Sequence, residues 1–517
     1  DPCRSARMTS LSVLVPVYNE EHLVAASLGR LGVLETSGVL SRIQVIVVDD
    51  GSRDATAEEL ARFRRAEGLV AQDGGPAAPG ATLRRPGSKL EWIFVRHERN
   101  SGKGKAIQTA LSHADCEISV IHDADLEYHP KDLLRIVDVF EAEHADAVFG
   151  SRFAGAHARR VLLFRHEIGN RLLTFLTNVA TNLNLTDMET CYKAMRTDLL
   201  KSIPLVSNDF RIEPELTIKL AKREARIFEV PISYSGRGYQ DGKKIGWRDG
   251  VRALGAIARF SLSDAIYARD AYGSAILARL ARAPRFNAWM ADVIRPFCGS
   301  RVLEIGSGTG NLTRRLTPRK RYVASDVNPL YLQTLEQLRS DRPYLEARYC
   351  DVTDLESFPR EEADFDTVVC LNVIEHVDDD RRALENLRAV LEPGGRAIVL
   401  VPHDPRAFGT LDEVLGHRRR YTEPSLRDVA EAAGFEVERI VPFNRVGSPA
   451  WWLNGKLLRR RSFGLVQILA LNALTPAFRM VDGALPFPPL SLVAVLRRPA
   501  QAPASADPRA SRTDAAR

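Results

Sequence analysis

Two short acidic motifs in the first half of the chain each follow a run of apolar residues. VVDDGS ends at Ser52 and HDADLEY ends at Tyr128, and a helix-like pattern follows each of them. Carboxylates such as those of Asp123 and Asp125 are hard oxygen ligands that suit Mg²⁺ or Mn²⁺. Because the diphosphate of a nucleotide sugar needs a divalent cation, the two motifs together predict a nucleotide-sugar site.

The second half carries an independent glycine-rich motif, VLEIGSGTG, which ends at Gly310. It closes a strand-like run and opens a helix, and its glycines allow the backbone to approach a ligand closely. A dinucleotide fingerprint G-x-G-x-x-G counted from Gly306 requires a third glycine where this chain has Asn311. The spacing therefore disfavours NAD as the ligand. Because each half of the chain carries its own nucleotide-binding motifs, the chain is predicted to join two enzymes in tandem.

Apolar runs alternate with helix-like stretches along both halves. In the first half they lie at 11–15, 45–48, 92–95, 118–121 and 147–149, and a second series starts at Arg301. This alternation predicts an α/β fold in which helices cover both faces of a parallel sheet. Ligands are expected at the carboxyl ends of the strands.

The composition fits two large globular domains, since 45% of the 517 residues are hydrophobic and 27% are charged. The predicted organisation is a first domain at 10–270, a linker helix region at 271–290, a second domain with a C-terminal extension at 291–497, and a disordered tail at 498–517. The Gly/Pro-rich stretch from Gly68 to Ser88 is predicted to be a mobile insertion. No segment approaches the ~20 apolar residues of a membrane-spanning helix.

Six widely spaced cysteines without a CxxC pair argue against both a disulfide framework and a structural zinc site. A reducing cytoplasm is the expected setting, with peripheral contact at the cytoplasmic face of a membrane as a further expectation. Long amphipathic segments at 161–184 and 251–280 are either ordinary packing helices or a face that lies on that membrane. No nucleic-acid partner is expected.

The ends of the first two predicted strands carry residues that suit a nucleoside. Pro16 ends the first strand and Glu20 opens a helix, which leaves Tyr18 to face a base in the cleft. Asp49 and Asp50 follow the next strand and are positioned to accept hydrogen bonds from the ribose or the base. The motif NSGKGKA, from Asn100 to Ala106, is predicted to lie at the same sheet edge.

Eight motifs in order resemble the inverting GT-A glycosyltransferases of family 2, closest to the dolichyl or polyprenyl phosphate mannose and glucose synthases. They are PVYNE, VVDDGS, NSGKGKA, DADLEY, GSR, NRLLTFLTN, TDMETCYKAMR and GRGYQDGKKIGWRDG, over about residues 10–262. The resemblance implies a GT-A fold, a GDP-mannose or UDP-glucose donor, and a polyprenyl phosphate acceptor. No QxxRW motif of a processive synthase is found.

The resemblance also implies roles for individual residues. Family members often carry Gln where this chain has His122, which puts the outer shell of the metal site in doubt. The implied roles are nucleoside binding by Pro16, Tyr18, Glu20, Asp50 and Lys103, metal binding by Asp123, Asp125 and Glu127, closure over the pyrophosphate by Arg237 and Lys243, and binding of the acceptor phosphate by Arg152 and Arg165.

The two possible acceptors require different chemistry. A polyprenyl phosphate is already ionised near pH 7, so its oxygen can attack the anomeric carbon without a general base, and positioning with charge stabilisation supplies most of the acceleration. A hydroxyl acceptor requires a base, and Asp187 is the candidate, with a helix-cap role as its structural alternative.

The form E-x-G-x-G-x-G resembles the class I S-adenosylmethionine-dependent methyltransferases, over about residues 285–440. The resemblance implies that S-adenosylmethionine is bound by Glu304, Gly306, Gly308, Gly310, Asp326, Asp351 and Asn372. His376 in LNVIEHV would face the methyl acceptor as a base, or would shape the cofactor site instead. GHRRRY and Trp451-Trp452 are expected to line the acceptor site, with core packing or membrane anchoring as the alternative for the tryptophans.

The sequence thus predicts a bifunctional enzyme that transfers a hexose and a methyl group in one glycan or glycolipid pathway. One alternative is a glycosyltransferase that acts on a sugar or small-molecule hydroxyl beside an independent methyltransferase. Another is a chain in which one domain has lost turnover and remains as a binding scaffold.

Overall fold

The computed structural model describes residues 9–71, 80–154, 164–236, 247–263, 266, 283–359, 365–460 and 465–500. The chain forms two compact α/β units, Asp1–Ala268 and Arg269–Arg517. Their boundary lies near the predicted end of the first domain at residue 270. From residue 501 onward the predicted tail lies outside the described ranges.

The first unit is built on a nine-stranded sheet with the order β3-β4-β5-β2-β1-β6-β8-β7-β9. Four neighbouring strands, β5, β2, β1 and β6, run parallel, so their carboxyl ends meet at one edge. The strands are β1 (Thr9–Val17), β2 (Leu40–Asp49), β3 (Val70–Ala71), β4 (Thr82–Arg84), β5 (Leu90–Arg96), β6 (Ile118–Ile121), β7 (Ala147–Ser151), β8 (Lys193–Arg196) and β9 (Ile227–Pro231).

The central strands of this sheet are rich in valine and isoleucine and are buried on both faces, as a helix-covered parallel sheet requires. The predicted parallel sheet is present at its centre, and β8 adds an antiparallel strand between β6 and β7 that the strand and helix pattern did not predict. The prediction of a mobile insertion at 68–88 was wrong for its described ends. There β3 and β4 pair antiparallel and extend the sheet from β5, while residues 72–79 lie outside the described ranges.

The described helices of the first unit cover both sheet faces and form a small satellite core around Met188, Ile218 and Phe260. They are α1 (Val24–Arg30), α2 (Thr56–Ala66), α3 (Lys103–His113), α4 (Lys131–Glu143), α5 (Phe164–Thr181), α6 (Thr197–Ser202), α7 (Ile212–Lys222) and α8 (Trp247–Leu262).

The second unit has a seven-stranded sheet with the order β12-β11-β10-β13-β14-β16-β15, in which β16 runs antiparallel to both of its neighbours. Apolar side chains cover both of its faces. Its strands are β10 (Arg301–Ile305), β11 (Arg321–Asp326), β12 (Leu345–Tyr349), β13 (Phe365–Leu371), β14 (Leu391–Pro402), β15 (Glu436–Phe443) and β16 (Ser491–Arg497).

The first helix in the described part of this unit begins at Pro284 and buries Phe286 and Trp289 in the same core as β10 and β11. The last part of the predicted linker region, 284–290, therefore packs as part of the second unit, and 271–282 lie outside the described ranges. The helices are α9 (Pro284–Ile294), α10 (Thr313–Leu316), α11 (Pro329–Arg339), α12 (Asp380–Ala389), α13 (Thr410–Leu415), α14 (Glu423–Ala432), α15 (Gly447–Trp452) and α16 (Leu465–Val481).

Across the described ranges, no helix combines the length and the apolar character needed to cross a membrane.

Candidate active sites

The carboxyl edge of β5, β2, β1 and β6 gathers most of the residues predicted for the nucleotide sugar. Tyr18 follows β1, Asp50 follows β2, His97 follows β5 and Asp123 follows β6. Pro16, Tyr18 and Glu20 are half-buried at this edge, and the Glu20 backbone N–H donates to Thr56 Oγ1 at 2.9 Å. The edge is therefore where a ligand of the first unit is expected.

Asp50 holds the loop that carries Lys103. Its two carboxylate oxygens accept hydrogen bonds from the backbone N–H groups of Ser101 (2.9 Å) and Gly102 (2.7 Å). The Nδ1 atom of His97 lies 2.7 Å from the same carboxylate. These contacts give Asp50 a positioning role, and its predicted contact with the nucleoside stays a prediction.

The glycines of NSGKGKA are required by close backbone packing. Gly102 has a φ of +97°, and a Cβ there would overlap the carbonyl oxygen of Asn208. A Cβ at Gly104 would overlap the carbonyl oxygen of Ser207. Side chains at these positions would push the loop off the 207–208 backbone and displace Lys103.

Asp49 is buried and partly satisfied within its own turn. Its Oδ1 atom accepts a hydrogen bond from the Ser52 backbone N–H at 2.9 Å, and its Oδ2 atom lies 3.2 Å from Arg96 Nε. The contact between Arg96 and Asp49 is an ion pair without the geometry of a hydrogen bond, so Oδ2 has no hydrogen-bond partner. Asp49 thus has one buried oxygen without a hydrogen-bond donor, and its predicted contact with the nucleoside stays a prediction.

Lys103 bridges two carboxylates beneath the predicted metal site. Its Nζ atom lies 3.0 Å from Asp123 Oδ2 and 3.2 Å from Glu213 Oε1. Burial lowers the pKa of Lys103, but Asp123 and Glu213 outweigh burial and hold the pKa well above its ordinary value. Burial likewise raises the pKa of Asp123, and Lys103 outweighs it, so that Asp123 is a carboxylate at neutral pH.

The three predicted metal ligands lie on one short turn after β6. Asp125 Oδ1 accepts a hydrogen bond from the Glu127 backbone N–H at 3.1 Å, and Glu127 Oε2 accepts one from the Tyr234 hydroxyl at 2.7 Å. Among the described residues these carboxylates do not converge into a group of three ligands. Mg²⁺ often takes only one or two protein carboxylates together with substrate phosphates. The half-buried Asp123 and Asp125 fit a metal that binds with the diphosphate.

Arg152 and Asp187 form a buried, bidentate ion pair. Arg152 Nε lies 2.6 Å from Asp187 Oδ2, and Arg152 Nη2 lies 2.7 Å from Oδ1. Asn170 Nδ2 also donates to Oδ1 at 3.0 Å. Burial raises the pKa of Asp187, but the opposing effect of Arg152 is larger, so the pKa of Asp187 lies below its ordinary value. A general-base role fits Asp187 poorly, because its oxygens already orient Arg152.

Arg152 also connects this pair to the metal-site turn. Its guanidinium group lies 5.1 Å from the centre of the Tyr234 ring, and the Tyr234 hydroxyl donates to Glu127. A cation over an aromatic face is stabilised when it is shielded from water. Arg152, which is predicted to bind the acceptor phosphate, therefore lies near the predicted metal ligands. Sugar transfer from a metal-bound donor to that phosphate would require them to be close.

Glu189 is one of the described carboxyl groups of this region that lack a full set of hydrogen-bond partners. Its Oε1 atom is buried and has no hydrogen-bond partner. Burial raises the pKa of Glu189 to about 7, Glu213 raises it as well, and Lys193 and Arg152 act in the opposite direction. A carboxyl group that titrates near neutral pH can accept a proton from a substrate.

Three predicted site residues cannot be placed. The side chain of Arg165, and all of Arg237 and Lys243, lie outside the part of the chain that the structure describes.

Several residues of this site were missed by the sequence analysis. Lys193 is fully buried, and its Nζ atom lies 2.5 Å from Glu213 Oε2 and 2.7 Å from the Met188 and Thr190 carbonyl oxygens. Glu213 therefore contacts both Lys103 and Lys193, and the sequence motifs did not predict it as a site residue. A lysine inside the otherwise apolar CYKAM run was the available signal, since a buried lysine needs an anionic partner.

His122 is an internal hydrogen-bonding residue. Its Nε2 atom lies 3.3 Å from Ser27 Oγ and its Nδ1 atom 3.1 Å from the Tyr192 hydroxyl. Burial lowers the pKa of His122 to about 4, so the ring is neutral near pH 7. A glutamine side chain also offers a donor group and an acceptor oxygen, so glutamine and histidine can make equivalent contacts at position 122.

Replacing His122 with Gln is expected to leave the rate of sugar transfer within about threefold of wild type. His122→Ala should instead lower the free energy of unfolding by ~1–3 kcal/mol, because it leaves two buried hydroxyl groups without a partner. Steady-state transfer assays and denaturant unfolding test both statements. A loss of more than tenfold in His122→Gln would show that His122 acts on the substrate or the metal.

The glycine-rich loop of the second unit closes the carboxyl end of β10. Gly306 and Gly310 have φ values of +70° and +77°, and a Cβ at Gly306 would overlap the Val373 side chain. The buried hydroxyl of Thr309 has no hydrogen-bond partner. Gly306 is exposed, so its backbone can be approached closely by a polar ligand such as the amino acid end of S-adenosylmethionine.

Glu304 lies beneath the glycine-rich loop. It is buried and accepts hydrogen bonds from Thr313 Oγ1 (2.5 Å) and the Tyr322 hydroxyl (2.9 Å). Burial raises the pKa of Glu304, and the two hydroxyl groups oppose that shift. Glu304 therefore supports the loop, and its predicted direct contact with the cofactor stays a prediction.

The next strand ends place the other predicted cofactor residues around this loop. Asp326 at the end of β11 accepts hydrogen bonds from the backbone N–H groups of Gly308 and Asn328, both at 2.9 Å. Asp351 follows β12, and Asn372 follows β13 with an unusual φ of +54°. Such a backbone conformation is uncommon outside glycine and is found more often at functional sites.

The predicted acceptor side of the second unit is formed by the segment after β13 and by GHRRRY. His376 Nδ1 lies 3.2 Å from the Gly416 carbonyl oxygen, and burial lowers the pKa of His376. Trp451 packs against Arg420 at 5.0 Å and donates to Asp412 at 3.3 Å, whereas Trp452 is half exposed. The two tryptophans thus have different environments.

The fold and the two strand-edge sites define a chain with two transferase domains. Residues 12–203 match the family model described as "Glycosyl transferase family 2", and residues 303–397 match one described as "Methyltransferase domain". The first unit therefore contains a family 2 glycosyltransferase domain, and the second unit contains a methyltransferase domain. Both predicted resemblances are confirmed.

Curated relatives include proteins named for transfer to polyprenyl phosphates. Dodecaprenyl-phosphate galacturonate synthase of Rhizobium johnstonii is 26% identical over 46% of this chain, and the match spans 61% of that protein. UDP-N-acetylglucosamine–dolichyl-phosphate N-acetylglucosaminyltransferase of Methanococcus voltae is 24% identical over 43% of this chain and 83% of that protein.

Among solved structures, glucosyl-3-phosphoglycerate synthase from Mycobacterium tuberculosis, in complex with Mn²⁺, UDP and phosphoglyceric acid, is 18% identical. The likeness covers 49% of this chain and 78% of that one, with a TM-score of 0.35. The N-methyltransferase NodS from Bradyrhizobium japonicum, in complex with S-adenosylhomocysteine, is 18% identical over 42% of this chain and 86% of that one, with a TM-score of 0.27.

Proposed function

We propose that the first domain transfers a hexose from a nucleotide diphosphate sugar to a polyprenyl phosphate with inversion. The observation that carries the proposal is the shared acceptor class in the names of the curated relatives. Asp125 and Asp123 would hold Mg²⁺ or Mn²⁺, which stabilises the departing nucleoside diphosphate when it is bound. GDP-mannose and UDP-glucose are the proposed donors.

The charges of the site suit an acceptor that is already an anion. Asp187 holds the Arg152 guanidinium group in place by accepting hydrogen bonds from Nε and Nη2, so the Nη1 side of the group is the one that can donate to a phosphate. A cavity on the same unit is lined by Ser207, Arg211, Arg252 and Arg259. Cationic side chains at both places favour a phosphate acceptor over a neutral sugar.

A surface of α5 and α8 supports a lipid acceptor. Along α5 the exposed apolar residues recur every three or four positions, as one face of a helix, and α8 packs beside α5 with further exposed apolar residues and arginines. Apolar stripes beside arginines are typical of helices that lie on anionic membranes. The α5–α8 surface consists of Phe164, Ile168, Leu172, Phe175, Val179, Val251, Arg252, Leu254, Arg259 and Leu262.

The double substitution Phe175→Asp with Val179→Asp is expected to weaken binding to vesicles by ~10²- to 10⁴-fold, since each apolar side chain contributes about 1.5–3 kcal/mol when it leaves water. Flotation with vesicles of phosphatidylcholine and phosphatidylglycerol measures the effect. The exposed polar residue Asn184, changed to Asp, is the matched control and should bind as wild type does. Equal flotation of all three proteins would contradict the membrane role of this surface.

The acceptor is tested directly with radiolabelled GDP-mannose and UDP-glucose. The full chain is incubated with undecaprenyl phosphate in detergent, or with a hydroxyl acceptor such as an alkyl glycoside, and Mn²⁺. The proposal predicts label in the organic phase with undecaprenyl phosphate alone. Transfer to the hydroxyl acceptor without transfer to the lipid phosphate would overturn it.

For the second domain, we propose S-adenosylmethionine-dependent methyl transfer within the same glycan or glycolipid pathway. S-adenosylmethionine supplies an electrophilic methyl group whose leaving group is neutral, so alignment is the main requirement. The glycine-rich loop and Asp326 support binding of this cofactor. Transfer of a labelled methyl group to the glycosylated product of the first domain, but not to the acceptor before glycosylation, would support coupled steps, and no transfer to either would contradict them.

A second acceptor class, a sugar or small-molecule hydroxyl, is favoured by one observation, the raised pKa of Glu189. An ionised Glu189 could take the hydroxyl proton as the oxygen attacks. Because its pKa is about 7, the base form increases as pH rises through neutrality. A base role therefore predicts a rate that falls below pH 7 and levels off above it.

Glu189→Gln separates the two acceptor classes. With a hydroxyl acceptor, the substitution is expected to lower kcat by ~10²- to 10⁴-fold and to remove the pH dependence near 7. With undecaprenyl phosphate, which needs no base, the change should stay under about tenfold. The pH profiles of both proteins with both acceptors provide the measurement, and a large loss with the lipid phosphate would contradict the base-free chemistry proposed for it.

A further inference from the structure

We propose that Glu375, His376 and His417 form a binding site for a divalent transition-metal ion in the methyltransferase domain. Each residue offers one ligand atom, and these atoms lie within 4.8 Å of one another. Glu375 Oε1 is 3.9 Å from His417 Nε2. Ligands held 2.0–2.2 Å from a metal lie about 3–3.5 Å apart, so small side-chain rotations would complete the site.

Glu375 is the independent sign of a cation. Its side chain is fully buried, and neither carboxylate oxygen accepts a hydrogen bond from another residue. Buried carboxylates are normally paired with a cation or with hydrogen-bond donors, because leaving them unpaired is costly. A metal ion between Glu375 and the two histidines would supply the partner.

His417 has the environment of a metal-binding histidine. Its Nδ1 atom lies 2.9 Å from Asp412 Oδ1, and Asp412 is itself buried and held by Arg420 Nε at 2.8 Å. Donation from Nδ1 to a fixed carboxylate leaves the lone pair on Nε2, which is the atom that faces Glu375. Metal-binding histidines commonly donate their second nitrogen to a carboxylate or carbonyl oxygen in this way.

His376 is held by a similar contact, since its Nδ1 atom lies 3.2 Å from the Gly416 carbonyl oxygen. Its ring centre is 5.0 Å from that of His417. Two imidazoles with one carboxylate favour ions such as Zn²⁺, Fe²⁺ or Co²⁺, whereas Mg²⁺ and Ca²⁺ prefer oxygen ligands alone. Three protein ligands leave positions open for an oxygen of a substrate.

The use of this site rests on the proposed methyl transfer. Glu375 and His376 follow β13 directly, three and four residues after Asn372, and His417 comes from the segment after α13. Asn372 is predicted to bind the methyl donor, so the three residues lie on the side expected for the methyl acceptor. A bound hydroxyl group would lose its proton to water more easily, and its oxygen would then form a bond to the methyl carbon while the carbon–sulfur bond breaks and a neutral thioether leaves. His376 would then be a ligand and not the general base.

The test uses the full chain without a polyhistidine tag, on an Asp125→Asn background that removes the other predicted metal site. After EDTA treatment, the protein is titrated with Co²⁺ by calorimetry and by visible absorption. The parent is expected to bind one Co²⁺ per chain, with absorption bands that report nitrogen ligands. Glu375→Gln and His417→Ala should each weaken binding by at least ~100-fold, Asp412→Asn by ~10-fold, and the control His403→Gln should bind as the parent does.

Thermal unfolding shows whether the variants fold. In EDTA, Glu375→Gln should be at least as stable as the parent, because a neutral amide replaces an unpaired carboxylate, and Co²⁺ should raise the Tm of the parent but not of this variant. A parent that binds no Co²⁺, a variant that binds like the parent, or a Glu375→Gln protein less stable in EDTA would each overturn the site. S-adenosylhomocysteine binding, measured separately on the metal-free parent, reports on the proposed methyl transfer itself.

Discussion

Replacing Asp125 with Ala is expected to lower sugar transfer by at least ~10³-fold and to abolish its dependence on Mg²⁺ or Mn²⁺. The carboxylate lies on the turn after β6, beside Glu127 and close to Asp123. A metal there contributes several kcal/mol by offsetting the charge of the departing diphosphate, and about 4 kcal/mol corresponds to this loss of rate. Transfer rates measured across a range of Mn²⁺ concentrations check the expectation.

Asp138→Ala provides the matched control for this experiment. Asp138 is an exposed aspartate on α4 of the same domain, and its loss removes one negative charge away from the site. Both proteins should show the same unfolding transition as wild type. An Asp125→Ala protein that transfers sugar at the wild-type rate, with an unchanged response to Mn²⁺, would show that Asp125 does not hold a metal needed for transfer.

Replacing Asp326 with Ala is expected to weaken S-adenosylhomocysteine binding by ~100-fold. The carboxylate fixes the glycine-rich loop through the Gly308 N–H and the following helix through the Asn328 N–H. A hydrogen bond to a charged group contributes about 1.5–3 kcal/mol, and ~100-fold in Kd corresponds to about 2.7 kcal/mol, so the loss of the predicted ribose contact accounts for most of the factor. Calorimetric titration gives the Kd directly.

Two further variants make this second result specific. Asp341→Ala changes an exposed aspartate of the same domain and should leave the Kd unchanged. Asp326→Asn keeps one carbonyl oxygen as an acceptor and should lose less affinity than Asp326→Ala. A Kd for Asp326→Ala within threefold of wild type would show that Asp326 does not contact the ligand.

The parallel strands could be predicted from the sequence because each is a short apolar run between polar turns. The runs RVLEI and ISVI coincide with β10 and β6. Strands β8 and β15 could not, since β8 contains Lys193 and Arg196, and β15 carries several exposed charged residues. Their place in the sheet depends on partners distant in sequence, which periodicity does not reveal.

The same distinction separates the parts of the candidate sites. Asp50, Asp123, Asp326 and the glycine-rich loops follow strands directly, so local sequence places them at the ligand edge. The contacts that hold them join residues far apart, such as Tyr234 with Glu127, 107 positions away, and Lys193 with Glu213, 20 positions away. Such pairs arise from tertiary packing, and a single sequence contains no direct record of them.

The role of His376 could not be predicted from its sequence motif alone, because it depends on which residues surround the side chain. The motif LNVIEHV allows a base, a structural residue or a cofactor contact. The structure adds His417 at 5.0 Å between ring centres and a buried Glu375 without a hydrogen-bond donor. A metal site became a hypothesis only when residues 375 and 417 were found side by side.

One chain is expected to hold two independent sites, one for each donor. Calorimetric titration of a single sample of the full chain tests this directly, first with S-adenosylhomocysteine, the product of the methyl donor, and then with GDP-mannose or UDP-glucose in the presence of Mn²⁺. We expect one ligand of each class to bind per chain, with neither displacing the other. Failure of the protein to bind either class, or competition between the two for one site, would contradict it.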